Sequence, residues 1–248
     1  MPQFNLKIAG RVGAVNGLFG STPIFLEKYA TEESADFSLT VTPEDLQYEQ
    51  KMRNLEAGAE GLRPRVSKDP FLERLAILRK FAICLMDYDT LLVHGSAVAV
   101  DGVGYIFTAP CGTGKSTHTR LWRQVFGERA VMINDDKPFV RIQSEGVTVC
   151  GSPWSGKHGL DINMEVPLGG ICLLERGAEN RIRPILPEEI SELCGNLRWF
   201  MEQSQVSVFN SLAEVLFQRV PLWHMTCNME PTAAAVAYAA MGLREVEK

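Results

Sequence analysis

The stretch Tyr105-Ile-Phe-Thr-Ala-Pro-Cys-Gly-Thr-Gly-Lys-Ser-Thr117 limits the folds open to this chain more than any other. An apolar strand runs into a glycine-containing loop ending in Gly114-Lys115-Ser116, and a helix-forming run follows. That order suits a phosphate cradle. Small residues let successive backbone N–H groups turn inward on a polyanion, and the following helix points its positive end at the same spot. A lysine then reaches the outer phosphates and a hydroxyl faces magnesium. Gly112 and Gly114 supply the permissive backbone, Lys115 the charge and Ser116 the metal-facing hydroxyl; with Thr113 and Thr117 they are the candidate cofactor-binding residues. Ala109 stands where the pattern G-x-x-x-x-G-K-[ST] has its first glycine, and it is small enough to keep the turn feasible.

The 248 residues are enough for one large domain, or for a small one attached to a medium one, and the hydrophobic fraction of 46% is that of an ordinary globular core. A net charge of −5 without basic runs excludes an electrostatic footprint for nucleic acid or an anionic membrane, so phosphate binding has to be local. Neither a long apolar span nor a basic segment followed by an apolar one is present, which leaves the cytoplasm as the expected compartment. The six cysteines form no C-x-x-C pair and have no histidine at zinc-site spacing; they read as buried thiols, apart from Cys111 in the phosphate loop.

Taken in order, Phe4, Leu6 and Ile8 alternate with polar residues, as do Phe37, Leu39 and Val41, with a short helical candidate at residues 23–30 between them. Thr42-Pro43-Glu44-Asp45 opens a polar helix over 43–57, and glycines and proline over 58–66 form a linker. The expected organisation is therefore a small N-terminal α+β subdomain over 1–66 and a nucleotide-binding domain over 67–248. Phe71, Leu75, Leu78, Ala82 and Leu85 make one helical stripe, expected to pack on the sheet that follows. Residues 91–100 read as a strand, Asp101-Gly102 as a two-residue hairpin, and 104–108 as the return strand leading into the loop. A cradle strand reached through a hairpin rather than a helical crossover implies a mixed sheet, so the fold class is α/β of the α+β kind. Beyond the loop, the pattern gives a helix at 115–126, strands at 130–134, 138–143, 147–151, 168–175, 181–185 and 222–227, and helices at 187–200, 207–220 and 232–243.

Asp135 and Asp136 follow Lys115 by one helix, which lets the strand carrying them lie directly beside the cradle strand and bring carboxylate to metal. Phosphoryl transfer needs a carboxylate to hold magnesium and a second group to position or deprotonate the nucleophile, and two adjacent carboxylates can divide those tasks. Ser116 and one carboxylate of the Asp135-Asp136 pair are the candidate metal ligands. Asp135, Asp136, His94 and Lys157 are the candidate catalytic residues, His94 from the strand paired with the cradle strand and Lys157 from the loop over 152–159. Trp122, Trp199 and Trp223 sit where core packing is the expected role.

Together, His94-Gly-Ser-Ala-Val-Ala-Val-Asp-Gly-Val-Gly104, the cradle through Ser116 and Val131-Met-Ile-Asn-Asp-Asp136 resemble the catalytic domain of bacterial HPr kinase/phosphorylase. More distantly they resemble the nucleotide-binding part of ATP-dependent phosphoenolpyruvate carboxykinase. The resemblance is specific over about residues 91–143 and implies a mixed-sheet P-loop kinase core with ATP and Mg2+ on the loop. It implies that Lys115 binds the outer phosphates, that Ser116 and one carboxylate of the pair hold the metal, that the other, Asp135, is the base, and that His94 is an active-site histidine. The glycine- and asparagine-rich signature that follows the acidic pair in HPr kinases is replaced here by the loop over 152–158, and the N-terminal segment differs from the sensor domain of those enzymes. The chain most resembles short HPr-kinase-like proteins of bacteria, some associated with peptide-modification clusters. The implied activity is transfer of phosphate from ATP to a hydroxyl on a protein, peptide or small metabolite; a nucleotide sensor without turnover and carboxykinase-type chemistry are the alternatives. Whether the chain forms a homo-oligomer is not set by the sequence.

Overall fold

The computed structural model describes residues 2–59, 61–197 and 203–242. Two compact units divide the chain, Met1–Asp87 and Tyr88–Lys248. The fold is α+β with mixed sheets.

In the first unit, β1 (Gln3–Ile8) and β2 (Arg11–Asn16) form a hairpin, and β3 (Ala30–Thr31) and β4 (Phe37–Thr40) complete a four-stranded sheet in the order β3-β1-β2-β4. Three helices accompany it: α1 (Ser21–Phe25), α2 (Pro43–Ala59) and α3 (Asp69–Met86). Helix α3, expected to open the second domain, belongs to the first unit instead. Its buried face is broader than the expected stripe and includes Leu72, Ala76, Ile77 and Phe81. The Phe81 ring lies so close to β2 that a Cβ on Gly13 would meet it at 2.5 Å, so this helix packs on the N-terminal sheet. Buried Glu73 on α3 accepts hydrogen bonds from the backbone N–H groups of Leu18 and Phe19 and from the Thr22 hydroxyl, and Arg79 pairs with Asp45 at 2.8 Å and Glu49 at 2.6 Å. The boundary thus falls after α3, because these polar anchors and the Phe81 contact tie it to the elements before it rather than to a domain starting at residue 67.

The second unit is built on a nine-stranded sheet. Its elements are β5 (Thr90–Leu92), β6 (Ser96–Val100), β7 (Val103–Thr108), α4 (Lys115–Phe126), β8 (Ala130–Asn134), β9 (Phe139–Ile142), β10 (Val147–Cys150), β11 (Glu165–Arg176), β12 (Arg181–Pro184), α5 (Ile190–Leu197), α6 (Gln203–Arg219), β13 (Leu222–Cys227) and α7 (Thr232–Met241). The expected strand over 91–100 is two strands, broken at Val93-His94-Gly95. The expected helix over 187–200 begins as one 3-10 turn at Pro187–Glu189, continues as α5, and its last residues, with Trp199, lie outside the described residues.

The sheet order is β5-β9-β10-β11-β7-β6-β8, with β13 and then β12 beyond β11. As expected, β6 and β7 are an antiparallel hairpin; Asp101 and Gly102 turn it with φ of 51° and 81°, the left-handed pair that two-residue hairpins favour. β7 pairs in parallel with β11, and β11 with β13, which makes the sheet mixed. β11 serves both halves: its start pairs antiparallel with β10 and its end runs parallel with β7 and β13, with a register shift between Leu168 and Gly170. A side chain at Gly169 would meet Val103 at 2.6 Å, so glycine is needed where the strand bends. The acidic strand β8 does not lie beside β7. It pairs with β6, one position further out, because the hairpin partner occupies the place a crossover would have left open.

Trp122 on α4 is fully buried, its ring 5.1 Å from that of Tyr105 and 5.2 Å from that of Phe107, and α7 closes the same cluster with Ala233, Ala234 and Ala237. Trp223 is half-buried against it. Among the described residues no disulfide joins the cysteines, and no helix is long and apolar enough to cross a membrane.

Gly151 directly follows β10, and a Cβ there would stand 1.8 Å from the Ile162 carbonyl oxygen. Backbone cannot yield as a flexible side chain can. Gly151→Ala is expected to lower the urea midpoint, by roughly 3 kcal/mol in stability, whereas Gly146→Ala, in a turn with nothing within 4 Å, leaves the midpoint nearly unchanged.

Candidate functional site

The site grows from the C-terminal end of β7. Thr108 is the last strand residue, Ala109 is fully buried, and the loop from Pro110 to Gly114 leads into α4. Gly112 and Gly114 adopt φ of 77° and 128°, values that side chains rarely tolerate, and a Cβ on either would meet nothing within 4 Å. The loop is therefore glycine-rich for its backbone path and not for want of room. Within it, Thr113 N–H donates to Pro110 C=O at 3.2 Å, and His118 N–H closes the first helical turn on Gly114 C=O at 2.9 Å. The N–H groups of the first turn of α4 have no partner within the helix and face the loop's concavity with the positive end of the helix dipole. Lys115 is half-buried and its Nζ donates to Ala109 C=O at 2.9 Å. Ser116 is exposed and Thr117 half-buried on the same turn.

Arg176, at the end of β11, supports the loop from outside: its Nε donates to Thr113 C=O at 2.9 Å and its Nη2 to Gly112 C=O at 2.5 Å. Because carbonyl and N–H point to opposite sides of a trans peptide, holding Thr113 C=O on one side directs the N–H of Gly114 to the other. No local pattern marks this arginine, and sequence reasoning missed it.

The acidic pair is presented by a turn after β8. Buried Asn134 shapes that turn: its Oδ1 accepts the N–H groups of Asp136 at 2.8 Å and Lys137 at 2.6 Å, while its Nδ2 donates to Ser152 C=O at 2.8 Å and Ser152 Oγ at 3.1 Å. Ser152 Oγ in turn donates to Lys137 C=O at 2.6 Å. Such a side-chain turn is the usual habit of asparagine, so the Asn before the two aspartates was a readable signal. The loop over 152–161 wraps the turn, and Gly156 N–H donates to Asp135 Oδ1 at 2.5 Å. A side chain at Gly156 would come within 3.2 Å of both Asp135 oxygens.

His94 is held between the two halves. Its N–H donates to Leu197 C=O at 2.7 Å, its C=O accepts from the Thr108 hydroxyl at 2.9 Å, and the next residue, Gly95, donates its N–H to Asp136 C=O at 3.1 Å. Its Nε2 lies 3.5 Å from Asp136 Oδ1, which also receives Lys137 Nζ at 3.1 Å. Lys137, directly after the pair, is a second residue that sequence reasoning passed over.

These charges shift one another. Burial, then Lys137 and Lys115, depress the His94 imidazole to about 4, with Asp136 opposing them, so the ring is neutral at pH 7. Lys115 is lowered, mainly by burial, while Cys111 and Asp136 pull the other way. Asp135 is raised, mainly by burial, with the Gly156 N–H opposing and Asp136 adding to the rise. Of the residues expected from sequence, Lys115, His94, Asp135 and Asp136 are thus gathered into one electrostatic cluster. Lys157 is exposed on the loop one residue past the Gly156 contact. Carboxylate and hydroxyl oxygens are the donors magnesium takes, one or two carboxylates being completed by phosphate oxygens and water; among the described residues no group of three His, Cys, Asp or Glu could enclose a metal.

Neither a family model nor a curated protein matches the chain. Among solved structures, the Hpr(Ser) kinase/phosphatase of Coxiella burnetii matches over 61% of this chain and 89% of its own, at 12% identity and a TM-score of 0.35. At that level the reading of the site rests on its own geometry.

A histidine depressed in the fold binds its proton near 6.5 once unfolded, so protons favour the unfolded chain as pH falls from about 6.5 toward 4. Melting temperature is expected to drop across that window, and His94→Asn to flatten part of the slope. A variant whose melting follows pH as steeply as the wild type removes His94 from the balance.

Proposed function

We propose that the protein is a magnesium-dependent phosphotransferase that moves the terminal phosphate of ATP to a hydroxyl, on a core of the HPr kinase and phosphoenolpyruvate carboxykinase type. The observation that carries this reading is the gathering of Lys115, His94, Asp136 and Lys137 at one end of the sheet, with Asp136 within 3.5 Å of His94 and 3.1 Å of Lys137. A structural ion-pair network would not need a phosphate loop at its edge, and a phosphate loop that only binds would not need a buried Asp135 and a half-buried Asp136 beside it.

The chain's residues divide the work as follows. Loop N–H groups and Lys115 hold the outer phosphate oxygens, Lys115 exchanging its contact with Ala109 C=O for the more favourable contact with an anion. Ser116 and Asp136 would hold magnesium, which would neutralise negative charge developing in the transfer. Asp135, its carboxyl raised by burial, accepts the acceptor hydroxyl's proton, while the oxygen bonds to the terminal phosphorus and the bond to ADP breaks. Gly156 N–H orients the Asp135 carboxylate, and neutral His94 positions Asp136. A hydroxyl acceptor on a protein, a peptide or a small metabolite satisfies the same chemistry.

Lys115→Ala is expected to weaken magnesium-dependent ATP binding at least about tenfold in titration calorimetry, through loss of a charge-assisted contact. Asp135→Asn is expected to keep binding and to lower ADP formation with an accepting substrate by roughly 10²–10⁴-fold. Tight ATP binding without ADP release across serine peptides and small hydroxyl compounds would move the reading to a nucleotide sensor.

A further inference from the structure

The first unit carries a basic cleft that plays no part in the chemistry above. Helix α2 ends in a two-bond cap: Gly61 N–H donates to Gly58 C=O at 3.1 Å and Leu62 N–H to Ala57 C=O at 2.7 Å, with Gly61 at a φ of 70°. The cap turns the chain back along the helix, and Gln50 fastens the returning segment. Its Nε2 donates to Arg65 C=O at 2.9 Å and its Oε1 accepts Ser67 N–H at 2.7 Å. Helix and segment wall a cleft of about 430 Å³ with Arg53, Ala57, Leu62, Arg63 and Arg65. Arg53 is held by Ser67 Oγ at 3.0 Å and by the Phe71 ring, 4.8 Å from its guanidinium carbon. Arg63 and Arg65 are exposed, and none of the three arginines forms an ion pair among the described residues. Residues 50–68 hold five basic and two acidic side chains, an excess of three positive charges in a chain whose net charge is −5. A second cleft along the same segment, of about 580 Å³, is lined in part by Leu55 and Val66, which are 56% and 96% exposed, and Leu62 is 59% exposed. Exposed aliphatic groups gathered beside unpaired charge mark a surface for a partner.

We infer that this face docks an acidic, extended segment of a partner protein, its carboxylates meeting Arg63 and Arg65 and its aliphatic side chains covering Leu62 and Val66. Charge complementarity selects the occupant: a guanidinium offers paired donors that match a carboxylate, and an acidic segment supplies the negative charge that this stretch lacks. Arg63 and Arg65 are two positions apart and line one cleft. Alternate residues of an extended chain share a side, so acids at alternate positions of the partner fit them, with apolar residues between. A small anion would meet the arginines and leave the aliphatic groups bare, whereas a length of chain covers both. A concave site also suits a peptide better than the flat surface of a bilayer, and the negative charge of the whole chain opposes approach to an anionic membrane. The surface lies wholly within the first unit, so the inference stands apart from the reading of the phosphate loop.

The test is fluorescence anisotropy of the full chain with a labelled synthetic peptide of three Asp-Leu-Asp-Gly repeats, beside one peptide with asparagine for aspartate and one with serine for leucine. The Asp-Leu peptide is expected to bind, and to bind more weakly as salt is raised. The asparagine peptide is expected to bind at least about fivefold more weakly, and the serine peptide about threefold. Arg63→Gln combined with Arg65→Gln changes exposed side chains only and is expected to weaken the Asp-Leu peptide about fivefold. Val66→Ser is expected to weaken it about threefold and to leave the serine peptide unchanged. Lys115→Ala is expected to leave peptide binding as it is; loss of binding there puts the peptide on the phosphate loop and overturns the inference. So does failure of the Asp-Leu peptide to bind, an asparagine peptide that binds equally well, or a double arginine variant that binds like the wild type. Displacement of the peptide by inorganic phosphate at equal concentration reassigns the cleft to a small anion. Phosphatidylserine vesicles that sediment the wild type but not the double variant, with the peptide unbound, reassign it to a membrane.

Discussion

The site depends first on one buried carboxamide. Asn134 uses its oxygen on the N–H groups of Asp136 and Lys137 and its nitrogen on Ser152, so a single side chain turns the strand end and fastens the loop over 152–161 to it. Without those bonds, the Asp136 and Lys137 N–H groups and the Ser152 carbonyl would lose their partners in a partly buried turn, and the backbone that presents the two carboxylates would lose its anchor. The Gly95 N–H to Asp136 C=O bond then ties this turn to the residue beside His94. The chain of contacts runs from Asn134 through Asp136 and His94 to Thr108, and so to the strand that carries the phosphate loop.

Electrostatics couples the charged groups of the cluster to one another. Burial, Lys137 and Lys115 all depress His94, while Lys137 Nζ pairs with Asp136 and Lys115 Nζ donates to the Ala109 carbonyl. Arg176 likewise spends its donors on carbonyls of Gly112 and Thr113 rather than on a carboxylate. Burial first, and then the two lysines, hold His94 neutral beside the Asp136 carboxylate.

The sheet supplies the rigid frame. β11 begins against β10 and ends between β7 and β13, so one strand joins the antiparallel half to the parallel half and delivers Arg176 to the loop. The glycines at its bend remove the side chains that would otherwise strike Val103 and Met241. Beneath the loop, Trp122 locks α4 onto Tyr105 and Phe107, which fixes where the first turn of the helix points.

Much of this was legible in the sequence because it is local. The phosphate loop, the Asp101-Gly102 hairpin, the helix after Lys115 and the acidic pair all follow from backbone preferences within a few residues, and hairpin pairing alone required a mixed sheet. What lay beyond reach involved partners far apart in the chain. The packing of α3 depends on how Phe81 meets Gly13, 68 positions earlier by subtraction of their numbers. The place of β8 depends on which strand edge the hairpin leaves vacant, and the support of the loop by Arg176 depends on where β11 ends. The amino-acid sequence by itself determined which groups could meet a phosphate and a metal. Only the tertiary structure decided which of them stand together, because the neighbours of a charge are chosen by strand order and burial, and neither is written in the spacing of residues along the chain.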